Sequence, residues 1–120
     1  MNGGLSRRLA QVRAERLRTQ LVDLVRNFQY YVRLLRSKSE ETSQLDLDRA
    51  HAEFFASAKM FKLETGFEDS FDRLKKISDV MANMKTVKPE NLNNKFNHVY
   101  VEFDKALNAL SEAVQQIEGR

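Results

Sequence analysis

Apolar residues recur every three or four positions along most of this chain. The first regular run advances by alternating steps of four and three positions, which places its side chains on one face of an α-helix. Its members are Leu17, Leu21, Leu24, Phe28, Tyr31 and Leu35. The spacing predicts a long first helix whose apolar face lies in a core.

Three further runs have the same helical spacing. The second contains Leu47, Ala50, Phe54, Ala58 and Phe61. The third contains Phe67, Phe71, Leu74, Ile77, Met81 and Met84. The fourth contains Leu92, Phe96, Val99, Phe103, Leu107, Leu110, Val114 and Ile117. We therefore expect four amphipathic helices.

Local signals predict where these helices begin and end. The second and third runs would lie on opposite sides of one continuous helix, so a break is expected at Gly66, which stands between them. Ser43, followed three positions later by Asp46, resembles a capping box that opens the second helix. Pro89 is typical of a helical first turn and predicts the start of the fourth.

The predicted fold is an all-α, antiparallel up-down four-helix bundle with a long first helix and a long last helix, since short connections favour antiparallel neighbours. The second and third helices are predicted at roughly 20 residues each, about 30 Å. A chain of 120 residues suffices for one such core. We expect a bundle over residues 17–120, preceded by a basic N-terminal helical extension over residues 1–16.

Positive charge is concentrated in the first third of the chain. Residues 1–38 carry nine Lys and Arg against two acids, a net charge of +7, whereas residues 39–120 carry eleven against fifteen, a net charge of −4. Five arginines fall within residues 7–18 alone. Attraction to an acidic partner is therefore expected from the N-terminal third.

The N-terminal extension has an apolar face of its own, formed by Leu5, Leu9 and Val12 and rotated away from the main stripe. One interpretation leaves this extension as a solvated, fraying helix start, or packs its apolar face on Val114 and Ile117 at the end of the fourth helix, with Glu112 and Glu118 offsetting the arginine charge. The other makes it a docking element for a partner. The candidate partner-binding residues are Leu5, Arg7, Arg8, Leu9, Val12, Arg13, Arg16 and Arg18.

Several apolar residues fall outside the main stripes and predict apolar surface left for a partner chain or for self-association. They are Phe55, Met60, Leu63, Val80 and Tyr100. We expect a non-catalytic interaction protein, either an adaptor, a small subunit of an assembly or a homo-oligomer. The alternative is a nonspecific binder of nucleic acid or anionic membrane through the N-terminal arginines, although residues 1–27 contain no aromatic side chain for base stacking.

Signatures of catalysis are lacking in the sequence. There is no cysteine, which excludes disulfides and thiolate chemistry. His51 on a bundle helix resembles the phosphoryl acceptor of histidine phosphotransfer domains, but Phe54 and Phe55 stand where those domains have lysine and then glycine. Neither Asp48 with His51 nor His98 with Glu102 has the second matching pair that a di-metal bundle needs. We expect no enzyme activity, no metal, no cofactor and no small-molecule substrate.

The sequence also bears on location. No apolar run approaches the ~20 residues that span a bilayer, and the N-terminus has no apolar signal-peptide region. An intracellular, soluble protein is expected. The Arg-rich, acid-poor N-terminus is also compatible with a mitochondrial targeting segment.

Overall fold

The computed structural model describes residues 3–37, 44–84 and 87–119. Within them the chain forms four α-helices and no strand: α1 (Gly3–Arg36), α2 (Gln44–Thr65), α3 (Glu68–Ala82) and α4 (Pro89–Glu118). The predicted all-α bundle with long first and last helices is confirmed. Pro89 opens the first turn of α4 as expected, whereas Ser43, the predicted cap of α2, lies outside the described residues.

Each helix runs antiparallel to the next. Along α1, Phe28 contacts Phe54 of α2, and Tyr31, further along, contacts the earlier residue His51. The same reversal relates α1 to α4, because Arg18 pairs with Glu118 while Arg36 lies over the ring of Phe96. The result is a ring of four helices around one core.

The core consists mainly of the residues that the periodicity predicted, and Ala14, Val32 and Ala106, which belong to none of the four runs, are buried with them. All members of the first two runs are buried, and so are most members of the last two. The partly covered members of those two runs are Phe67, Phe71, Leu92, Leu107 and Ile117. At the centre, the rings of Phe28 and Phe103 stack with centroids 3.8 Å apart.

The third helix is shorter than expected, at 15 residues. It begins only after the Gly66–Phe67 turn and ends at Ala82, beyond which the Asn83 amide bonds the carbonyl oxygen of Val80 instead of continuing the α-helical pattern. The turn itself was predicted correctly. Gly66 has φ of +74°, a left-handed conformation that reverses the chain between α2 and α3.

Replacing Gly66 by alanine should lower the free energy of unfolding by about 1 kcal/mol, because an L-residue is strained at this φ. An added Cβ would meet no heavy atom within 4 Å, so the cost comes from the backbone alone. Urea denaturation measures the change. Gly66→Asn serves as the control and should lose less, since asparagine tolerates this conformation better. Equal stability of Gly66→Ala and the parent chain would contradict the prediction.

Candidate interaction surface

The amino-terminal end of α1 extends beyond the rest of the bundle. Arg16 lies opposite Glu64, next to the last residue of α2, and Arg18 lies opposite Glu118, the last residue of α4. Residues 3–12 therefore stand past the ends of both neighbouring helices, a length of about 15 Å at 1.5 Å per residue. We call residues 3–12 the free segment. Ala14 is the first buried residue of α1.

The apolar face of the free segment is open. Leu5, Leu9 and Val12 are 61%, 62% and 56% exposed. The interpretation that packs this face on Val114 and Ile117 is wrong. Both antiparallel neighbours of α1 end before they reach it, and Val114 and Ile117 pack in the main core instead.

The five arginines within residues 7–18 divide into two groups. The Arg13 guanidinium donates to the Glu64 carbonyl oxygen at 3.0 Å, Arg16 pairs with the Glu64 carboxylate at 2.9 Å, and Arg18 pairs with Glu118. Glu118 thus offsets arginine charge as predicted, whereas Glu112 forms no ion pair within the described ranges. Exposed pairs of this kind contribute about 0.2–1 kcal/mol each.

Arg7 and Arg8 form the second group. Within the part of the chain that the structure describes, neither has a hydrogen-bond or ion-pair partner. Their charge is therefore available to a molecule outside the bundle. Together with Leu5, Leu9 and Val12 they complete an amphipathic helical surface, since the spacing places Arg8 beside the apolar face.

Further apolar side chains are exposed elsewhere on the bundle. Met60 and Leu63, near the end of α2, are exposed, as expected from their positions off the apolar stripe. Tyr100 is also partly open, but Phe55 packs edge-on against Phe71 and Val80 is partly buried. The off-stripe residues expected from the sequence did not include Val22, Tyr30, Leu45 and Val101, which are exposed as well.

His51 does not offer an open acceptor. Its Nε2 shares a hydrogen bond of 2.7 Å with the hydroxyl of Ser78, which is buried. Tyr31 packs edge-on against the imidazole, with ring centroids 5.7 Å apart. These contacts satisfy a partly buried polar side chain at the edge of the core, the role that the sequence favoured.

The environment of His51 and Tyr31 also changes the pKa of the Tyr31 phenol. Burial, with a smaller contribution from the charge of Asp48, raises the pKa of its phenol from 10.0 to about 12. In the unfolded chain this phenol keeps its ordinary pKa of 10.0 and therefore loses its proton at a lower pH than in the folded chain. The stability that Tyr31 contributes is therefore complete below pH 10 and is lost as the pH rises through 12. Ultraviolet titration should show a phenolate transition near pH 12 that Tyr31→Phe removes. Removal of a transition near pH 10 would contradict this assignment.

Two negative findings concern the described residues alone. They contain no group of three or more histidine or acidic side chains arranged to hold a metal ion. None of their helices combines the length and apolar character needed to cross a bilayer.

The fold defines the chain as an all-α four-helix bundle with a projecting N-terminal helix. Compared with known protein families, with curated proteins and with solved structures, the chain matches none.

Proposed function

We propose that this protein is a non-catalytic interaction protein, an adaptor or small subunit of a larger assembly, whose free segment docks an acidic amphipathic helix of a partner protein. One observation carries the proposal: a regular helix presents Leu5, Leu9 and Val12 to solvent at more than half exposure. Burying three such side chains in a complex stabilises it by about 1.5–3 kcal/mol each before the costs of association.

The charge of the free segment supports an acidic partner. Arg7 and Arg8 are unpaired within the described residues, and the first turn of α1 contains no acid. Neither Arg7 nor Arg8 has an acidic residue three or four positions away on α1, so ion pairing within the helix does not account for them. Carboxylates on a partner helix would pair with this charge and favour association.

A helical partner also fits the geometry. The free segment continues α1 past its neighbours for about three turns, so one further helix laid alongside it would continue the antiparallel bundle. Pairing of two free segments from two copies is disfavoured, because it would bring four unpaired arginines together. A membrane surface is disfavoured by the narrow apolar face of three aliphatic residues without an aromatic anchor.

The test is affinity capture of tagged full-length protein from its native lysate after nuclease treatment. The parent chain is compared with L5S/L9S/V12S and with V22S/V101S, whose replaced valines are similarly exposed. A protein partner should survive high salt with the parent and the control, and bind the triple variant about 100-fold or more weakly. All three chains should unfold at the same temperature, because the replaced side chains are exposed.

A photo-crosslinking phenylalanine derivative at position 9 then identifies what the face contacts. Attachment to an acidic, amphipathic helical segment of the captured protein supports the proposal. Crosslinks between two copies of this chain would favour a homo-oligomer instead. Recovery of only nucleic acid or lipid, with binding that falls steeply as salt rises, would favour the polyanion-binding alternative. Equal capture by the parent and L5S/L9S/V12S would refute docking at the free segment.

A further inference from the structure

A cleft lies between α3 and α4, toward the end of the bundle remote from the free segment. Its first part, of about 290 Å³, has Arg73 and Lys76 of α3 on one side and His98 of α4 on the other. Its second part, of about 610 Å³, is an adjoining groove that shares His98 but is lined only by residues 87–98, at the start of α4, among them Lys88 and Lys95. We call both parts together the α3–α4 cleft.

The cleft brings together cations that the sequence disperses. Four lysine and arginine side chains line it: Arg73, Lys76, Lys88 and Lys95. The one carboxylate in the lining, Glu102, lies 3.4 Å from the ammonium of Lys105. Because residues 39–120 carry a net charge of −4, no basic surface was expected here from the sequence.

Within the residues that the structure describes, none of these four side chains has a hydrogen-bond or ion-pair partner. Asp69 and Asp72 each stand four positions before a basic residue of the cleft, yet neither forms an ion pair within the described residues. Arg16 and Arg18, in contrast, are both paired with glutamates. Unpaired cations facing one concave surface create a local positive potential that favours a multiply charged anion.

The remaining lining favours phosphate as that anion. Arginine and lysine are the usual protein ligands of phosphate, which carries up to two negative charges at neutral pH. The side-chain amides of Asn91 and Asn94 supply further donors. The floor contains Ile77 and Val99, but no aromatic side chain on which a nucleic-acid base would stack.

We propose that the α3–α4 cleft binds a multiply charged phosphate group, held by Arg73, Lys76 and Lys95. A small phosphorylated molecule and a phosphorylated lipid head group share this chemistry. The proposal is independent of docking at the free segment, because the two surfaces lie at different ends of the bundle.

The test is titration of the full-length, ¹⁵N-labelled chain with inorganic pyrophosphate, followed by amide chemical shifts. Saturable shifts should concentrate at residues 73–80 and 88–102. R73Q/K95Q should weaken the affinity about tenfold, since two charge-assisted contacts are lost. R7Q/R8Q removes the same charge at the free segment and should leave the affinity unchanged. Circular dichroism should show equal helix content in all three chains, since every replaced side chain is exposed.

Sedimentation with vesicles separates the two sources of phosphate. Phosphatidylcholine vesicles with and without a phosphatidylinositol bisphosphate are compared. Binding that needs the phosphorylated lipid and is lost in R73Q/K95Q supports a head group, whereas pyrophosphate binding without vesicle binding supports a free phosphorylated molecule.

Three results would overturn the cleft site. The first is an absence of saturable pyrophosphate shifts together with no R73Q/K95Q-sensitive vesicle binding. The second is an equal loss of affinity in R7Q/R8Q, which would indicate general charge attraction. The third is binding of a single-stranded oligonucleotide at the cleft more tightly than pyrophosphate, which would indicate a nucleic-acid surface.

Discussion

Phe28→Ala is expected to lower the free energy of unfolding by about 3–5 kcal/mol, out of the 5–15 kcal/mol typical of a domain. The ring of Phe28 is stacked on Phe103 and lies 5.8 Å from the ring of Phe54, measured between centroids. It also meets Tyr100 edge-on at 6.0 Å. The substitution would therefore leave a cavity where α1, α2 and α4 meet.

Urea denaturation monitored by circular dichroism measures this loss. Tyr30→Ala is the matched control, because Tyr30 lies two positions away on the same helix and is 45% exposed. It should change the free energy of unfolding by less than about 1 kcal/mol. Equal losses for the two variants would show that the aromatic cluster does not hold these helices together.

A second large effect is expected at Leu17, where α1 has entered the bundle. Leu17→Ala should cost about 2–5 kcal/mol, since its side chain is 0% exposed. Leu9→Ala, about two turns earlier on the same helix, should change stability by no more than about 0.5 kcal/mol. The contrast would locate the start of the core between these two leucines.

Thermal and urea unfolding of both variants test this boundary. A loss above 2 kcal/mol for Leu9→Ala would mean that the free segment is packed in the isolated protein, and would remove the basis for docking there. If Leu17→Ala were neutral, the core would begin further along α1 than the structure indicates.

Much of the fold was predictable because packing in a helical bundle is recorded in the spacing of apolar residues. A helix buries every third or fourth position, so runs such as Leu47 to Phe61 identify both the helix and its buried face. The change of face around Gly66 likewise indicated the α2–α3 turn. The length of α3 was less predictable, because helix ends depend on local backbone bonds, such as that of Asn83, more than on periodicity.

Whether the apolar face at the start of α1 is covered could be decided only from the tertiary structure. The sequence identified Leu5, Leu9 and Val12 as an apolar face, but it left open whether the face packs on α4 or remains exposed. The answer depends on the register between antiparallel helices, set by core contacts such as Phe28 with Phe103. With that register α4 ends opposite Arg18, so the face has no neighbour on that side.

The sequence by itself determined the four helices, their buried faces and the amphipathic, arginine-rich start of α1, since each depends on residues a few positions apart. Only the tertiary structure decided that this start is exposed and that a cationic cleft exists. Arg73 and Lys95 are 22 positions apart in a part of the chain whose net charge is negative, so neither composition nor periodicity relates them. Arg73 lines the part of the cleft between α3 and α4, Lys95 lines the adjoining groove along α4, and His98 belongs to both, so their neighbourhood is a property of the assembled bundle.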